Sequence, residues 1–189
     1  MADIVVFHSV LGLRPVERGF ADRLREAGHH VGTPDLYGGR TASTLDEGFA
    51  LKDAIGWETI VGRARDAVRD LPAETVLVGV SMGAGVVQEV LPGRPHTAGV
   101  LLLHALGALP ASIRAGLPVQ VHVADPDPIA PPAQVVAWRE AAARAGAEAR
   151  VFTYPGIGHF YTDADSPDHD EPAAVRTRRR VLDFLSAQA

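Results

Sequence analysis

Short apolar runs rich in β-branched residues alternate along this chain with longer amphipathic stretches, and that alternation has the period of βα units. Ile4 to His8, His30 to Pro34, Thr75 to Val80, Gly99 to Leu103, Val119 to Ala124 and Arg150 to Tyr154 read as strands. Most of them are apolar nearly throughout, as parallel strands covered on both faces must be. Helices are expected over Pro15 to Ala27, Asp46 to Asp70 with a break near Gly56, Ala84 to Leu91, Pro132 to Ala145 and Glu171 to Gln188. Proline and glycine stand at the junctions, for example at Gly28, Pro92-Gly93, Pro131-Pro132 and Pro155-Gly156. The pattern predicts an α/β fold, about six mostly parallel strands between two helical layers in an α/β/α sandwich.

The chain's 189 residues, 47% of them hydrophobic, suffice for one full core and leave little room for a second, so a single domain over 1–189 is expected. A formal charge of −5 argues against nucleic acid as a partner. The arginines from Arg176 to Arg180 fall in an amphipathic terminal stretch, where Val175, Val181, Leu182 and Leu185 recur at helical spacing, and read as a solvated helix face. Cysteine is absent, so neither a disulfide framework nor a thiolate zinc site is available. No run approaches the roughly 18 apolar residues of a membrane span, and Met1-Ala2-Asp3 leads straight into a strand rather than a signal peptide. A cytoplasmic protein without membrane contact, monomeric or homodimeric, is the expectation.

Within this frame one serine stands out. Ser81 lies in Gly79-Val80-Ser81-Met82-Gly83, after the apolar run ending at Val80 and before a helical stretch. A strand, a sharp turn and a helix around one serine read as a nucleophile elbow. The turn is so tight that the residues two before and two after the nucleophile must lack bulk, and glycine fills both places.

A serine hydroxyl is a poor nucleophile at neutral pH and requires a histidine to take its proton and an acid to hold that histidine's tautomer. The partners must follow in the order serine, acid, histidine, on loops at the carboxyl ends of later strands. Asp125-Pro126-Asp127-Pro128 follows one such strand, and Pro155-Gly156-Ile157-Gly158-His159 follows the next. Either Asp125 or Asp127 is placed to be the acid, and His159 to be the base. The expected oxyanion hole is the Met82 N–H with a backbone donor from Ser9-Val10-Leu11-Gly12. Ser9 reads as a turn residue that can also reach the cleft, and His8, His104 and His122 as structural histidines among apolar neighbours. His29-His30 and Asp168-His169-Asp170 lack the spacing of a zinc hydrolase, and Gly79 to Gly85 matches neither a P-loop nor a dinucleotide fingerprint. No metal and no cofactor is therefore expected.

With these loops identified, the chain resembles the dienelactone hydrolase family of α/β-hydrolases along nearly its whole length. The likeness rests on Phe7 to Leu13, Pro34-Asp35-Leu36-Tyr37, Gly79 to Gly85, Val119-Gln120-Val121-His122, Asp127-Pro128 and Tyr154-Pro155-Gly156-Ile157-Gly158-His159-Phe160. The resemblance implies a compact, lidless hydrolase with a triad of Ser81, Asp127 and His159 and an oxyanion hole from Met82 and Val10. Two departures stand out. Dienelactone hydrolases proper carry cysteine at the elbow with an activating glutamate in the oxyanion segment, where this chain has Ser81 and Ser9. They also hold a substrate carboxylate with arginines, one of them four residues after the catalytic histidine, where this chain has Asp163; repulsion of an anionic lactone there is the expectation.

The sequence thus reads as a serine hydrolase cleaving a small ester, lactone or thioester through an acyl-enzyme. Tyr37, Phe160, Tyr161 and Trp57 are candidate cleft walls, and Arg40 or Lys52 a candidate contact for an anionic group. The cleft should be open and shallow, since His104 to Leu117 is too short for a lid domain. A non-catalytic member of the fold that binds a small molecule or protein partner satisfies the same sequence.

Overall fold

A computed structural model describes residues 1–188. Six strands form one sheet: β1 (Asp3–Phe7), β2 (His30–Gly32), β3 (Val76–Val80), β4 (Val100–Leu103), β5 (Pro118–Asp125) and β6 (Glu148–Pro155). Their spatial order is β2-β1-β3-β4-β5-β6, and every neighbouring pair is parallel. Six helices connect them: α1 (Pro15–Glu26), α2 (Leu45–Ile55), α3 (Trp57–Val68), α4 (Met82–Val90), α5 (Pro132–Arg144) and α6 (Glu171–Ser186). No helix among the described residues is long and apolar enough to cross a membrane.

Side-chain alternation along the strands divides the core in two. Val5, Phe7, Leu77, Val100 and Leu102 point into one layer, where Ile60 and Ala64 of α3, Val87 and Val90 of α4 and Trp138 of α5 meet them. Ile4, Val6, Val76, Val78, Leu101 and Leu103 point into the other, against Leu24 of α1 and Val181 and Leu185 of α6. Strands buried on both faces need apolar residues at every position, which explains the unbroken runs in the central strands.

Local chemistry sets the element ends. The long helical stretch breaks at Gly56, whose φ of 87° ends α2 and opens α3. Thr44 and Glu47 form a reciprocal capping box at the start of α2, and the Asp170 carboxylate accepts the Ala173 N–H at the start of α6. Several boundaries differ from expectation by one or two residues, and for two of them the reason is physical. Helix α4 begins at Met82 rather than Ala84, because the elbow turns directly into it. Strand β6 begins at Glu148 rather than Arg150, its polar first residues pairing with β5 although they lie at the exposed sheet edge.

Buried polar groups in β5 carry a pH dependence. His122 is enclosed, with Nδ1 2.8 Å from the Tyr154 hydroxyl and Nε2 3.0 Å from Gln120 Oε1. Burial, reinforced by the Arg180 guanidinium, pushes its imidazole down to about 3, and burial does the same to His104. An unfolded chain protonates such groups near 6.5. The unfolded state therefore binds more protons between these values, so stability is complete above the unfolded value and is lost as pH falls through the window. The thermal midpoint should fall from about pH 7 to about pH 4 in the wild type and fall less steeply in His122→Gln. Parallel slopes in the two proteins would show that His122 is not a source of the dependence.

Candidate active site

In a parallel sheet all carboxyl ends share one edge, and the chain leaves β1 on opposite sides to form β2 and β3. The loops after β1 and β3 therefore meet at a topological switch point, and Ser81 stands there. Its φ of 51° and ψ of −111° are unusual for a residue with a Cβ, the signature of the elbow. Both flanking glycines are sterically required. A Cβ on Gly79 would strike the Gly83 carbonyl, and one on Gly83 would strike the carbonyl of Phe7 in β1. The bend thus seats the start of α4 on the neighbouring strand.

Three sequence-separated side chains converge. The Ser81 Oγ lies 3.0 Å from His159 Nε2, and His159 Nδ1 lies 2.8 Å from Asp127 Oδ2. With Nδ1–H donating to the carboxylate, Nε2 is left as acceptor for the serine O–H. The second Asp127 oxygen accepts the Ile129 N–H at 2.8 Å. Burial raises the Asp127 carboxyl, but the His159 hydrogen bond and charge together with the Ile129 N–H outweigh it and hold the acid below its ordinary value. Between the two aspartates spaced for this role, the pairing is with Asp127; Asp125 closes β5 and its carbonyl accepts the Gly156 N–H. No group of three or more metal-ligating side chains occurs among the described residues.

The Val10 and Met82 N–H groups lie at the loop after β1 and the first turn of α4. Leu11 N–H donates to Ser9 Oγ and Gly12 N–H to the Ser9 carbonyl, while Val10 and Met82 N–H have no protein acceptor among the described residues. Val10, Leu11, Ala42 and Phe160 form one apolar cluster with Leu51 and Met82. Leu51 comes from α2, so this helix borders the site. Ser81 is 7% and His159 6% exposed, so both side chains are largely enclosed.

The candidate walls divide. Phe160 packs edge-on to His159, ring centroids 4.5 Å apart, and belongs to the apolar cluster. Tyr161, by contrast, is wholly buried, with its hydroxyl 2.9 Å from Thr177 Oγ1 of α6 and its ring against Tyr154, so it presents nothing to a substrate. Tyr37 is also fully enclosed; its ring meets His8 edge-on and its hydroxyl reaches the Met82 sulfur at 3.2 Å, which supports the elbow from beneath. Burial pushes this phenol up to about 12, keeping it neutral. Trp57 packs toward Gly85 of α4, Arg40 bonds the Tyr37 carbonyl, and Lys52 pairs with Asp53.

Asp163 does not act as the free charge that would repel an anionic substrate. It is buried and paired with Arg14 at 2.8 Å, and Arg14 also reaches Glu17 at 3.1 Å. Glu17 in turn accepts the Ser9 hydroxyl at 2.7 Å. Ser9, Arg14, Glu17 and Asp163 thereby tie the loop after β1 to the loop after His159. That network is not legible in the sequence, since Arg14 and the Asp163 it binds lie 149 positions apart; the one available signal was Glu17 three residues after the helix-starting Arg14. His104, with φ of 67°, is buried between His159 and Phe160, both ring centroids 5.8 Å away, and bonds Thr162 Oγ1 at 2.7 Å. Asp168 supports the histidine loop by accepting the Phe160 N–H at 3.1 Å, beside Gly158, where a Cβ would strike its carboxylate.

A parallel sheet with an elbow at its switch point, followed by acid and histidine loops, defines an α/β hydrolase. The family model of the dienelactone hydrolase family matches residues 1–189. Among solved structures, a dienelactone hydrolase-like promiscuous phosphotriesterase from metagenomic libraries is similar at 18% identity and a TM-score of 0.82, over 100% of this chain and 87% of that one. Esterase PE8 is similar at 18% identity and a TM-score of 0.69, over 97% and 93%. TT1662 from Thermus thermophilus is similar at 20% identity and a TM-score of 0.64, over 99% and 88%. None of the curated proteins compared matches the sequence. The chain belongs to the dienelactone hydrolase family, and is a hydrolase acting on ester bonds.

The packing of the elbow makes a steric prediction. Gly83→Ala forces a methyl into the Phe7 carbonyl, an overpacking cost of about 1–3 kcal/mol. Gly62→Ala, in α3 with nothing within 4 Å of the new Cβ, should stabilise by about 0.5–1 kcal/mol. Denaturant melts of the two variants check both, and a Gly83→Ala protein as stable as wild type would contradict the close approach.

Proposed function

We propose that this protein is a serine hydrolase that cleaves a small ester, lactone or thioester through an acyl-enzyme on Ser81. The observation that carries this reading is the continuous hydrogen-bonded line from Ser81 Oγ through both ring nitrogens of His159 to Asp127. In this reading His159 Nε2 takes the Ser81 proton as Oγ adds to the substrate carbonyl carbon. The oxygen of that carbonyl gains the negative charge, and the Val10 and Met82 N–H groups are its donors. His159 then returns the proton to the leaving alkoxide or thiolate, and the acyl group stays on Oγ. Water, deprotonated by the same histidine, repeats the addition and releases the acid. Asp127 holds the tautomer and stabilises the imidazolium without taking its proton.

The neighbouring His104 suits this cycle. It lies against His159, and burial keeps it neutral, so no second cation opposes formation of the imidazolium. The surroundings favour an uncharged, mainly apolar substrate. Val10, Leu11, Met82 and Phe160 bring no charge, and Arg14 is already engaged by two carboxylates. An anionic group would find neither repulsion from a free Asp163 nor a free cation to hold it. The protein would act on a diffusible small molecule without nucleic acid or a membrane, as a monomer or homodimer in the cytoplasm.

Hydrolysis of p-nitrophenyl acetate and labelling by a fluorophosphonate test the assignment. Ser81→Ala should abolish labelling and lower kcat by on the order of 10⁶, and Asp127→Asn should lower it by about 10⁴. Asp125→Asn should leave kcat unchanged. A folded wild type that neither turns over short esters nor labels at Ser81 would sink the enzymatic role of the triad. A large loss in Asp125→Asn with normal turnover in Asp127→Asn would reassign the acid.

A further inference from the structure

A cavity apart from the triad lies on the opposite side of the sheet from α4. It opens between α1 and α6 over the ends of β3 and β4, with about 640 Å³ of empty space that includes open solvent at its mouth. Neither Ser81 nor His159 lines it, and His104 and Phe160 form the partition between it and the triad. Its walls are built at helical spacing. Val16, Phe20 and Arg23 follow one another along α1, and Ala174, Thr177, Arg178 and Val181 along α6. Val80 and Leu103 supply the apolar floor.

The charge distribution is uneven in an informative way. At one end Arg14 is shared by Glu17 and Asp163, so its charge is fully engaged. Arg23 and Arg178 are the two exposed residues of the lining, which places them at the mouth. Neither has a carboxylate at ion-pair distance among the described residues, and the Asp22 beside Arg23 is bound to Arg25. Burial first, and then the neighbouring Arg178, work against the charge of Arg23, while Glu26 and Asp22 favour it. Two guanidinium groups lining the mouth of a largely apolar pocket are complementary to a bound anion with an apolar body.

We propose that the cavity between α1 and α6 is a second, non-catalytic site that binds a short-chain aliphatic monocarboxylate. The carboxylate sits between Arg23 and Arg178. The alkyl chain runs inward over Phe20, Val80, Leu103 and Val181. The opposite polarity is disfavoured, because a carboxylate at the inner end would meet Glu17 and Asp163. Chain length is limited as well, because His104 and Phe160 close the space on the side of the triad. The site stands independently of the acyl-enzyme chemistry, since none of its residues belongs to the triad.

Hexanoate is the probe, titrated into the ¹⁵N-labelled full chain and followed by amide NMR shifts. Saturable shifts should centre on α1 and α6, around Arg23, Ala174 and Arg178, and leave 79–83 little changed. The double variant Arg23→Gln/Arg178→Gln, altered at two exposed positions, should bind hexanoate at least about tenfold more weakly, and 1-hexanol should bind wild type more weakly by a similar factor. Ala174→Leu, which narrows the cavity, should weaken binding without removing the arginines, and the spectrum itself reports whether each variant is folded. The proposal is overturned if no saturable shifts appear, if they centre on the elbow, if the double variant binds as wild type does, or if hexanol matches hexanoate. Because ester hydrolysis is not read in this titration, its failure leaves the triad assignment standing, and inactivity of the triad leaves this site standing.

Discussion

The close passage of the Gly83 backbone over the Phe7 carbonyl is the contact on which the site depends. It allows α4 to begin immediately after β3, which forces Ser81 into positive φ and lifts its Oγ out of the sheet plane. It also brings the first N–H of α4 beside the loop that leaves β1. Ser81 and the N–H groups of Val10 and Met82 are therefore placed by one backbone packing event, before any side chain contributes. A methyl group at either flanking glycine would separate helix from strand, and the geometry of every later component would lose its reference point.

Much of this architecture was legible because it is written in local patterns. A strand buried on both faces needs an unbroken apolar run, as in Val76-Leu77-Val78, and an elbow needs glycines at fixed offsets, as at Gly79 and Gly83. Chain order then limited the histidine to His159 and the acid to Asp125 or Asp127. Choosing between the aspartates by pattern alone was not possible, since each precedes a proline at the end of the same strand. Their difference is one of direction: Asp125 is still within β5, whereas Asp127 lies beyond it and faces the histidine loop.

The sequence was least informative where burial decides. Tyr161 follows His159 and Phe160 in a loop that ought to border a cleft, yet its ring passes inward to α6 because Thr177 and Tyr154 complete a site for it there. Asp163 was read as a lone charge, but charge has no meaning for recognition until its partners are known. Arg14 lies far away in sequence, at the head of α1, and neutralises it. The enclosure around Ser81 and His159 likewise comes in part from α2, which sends Leu51 toward Val10 and Met82.

The Ser9, Glu17, Arg14 and Asp163 network uses charge inside the fold, with each charged group paired. Glu17 is buried, and an isolated buried carboxylate is costly. It is retained because it accepts from the Ser9 hydroxyl, the Arg14 backbone N–H and the Arg14 guanidinium together. Ser9 immediately precedes Val10, so the same carboxylate that satisfies the helix start also fixes the residue beside Val10. Asp163 completes the span four residues after His159. The loop after β1 and the loop that carries His159 are thus held to one common cation, and relative motion between them would break a partly buried ion pair rather than a single hydrogen bond. That coupling gives these charges a role in positioning the loops that flank Ser81 and His159.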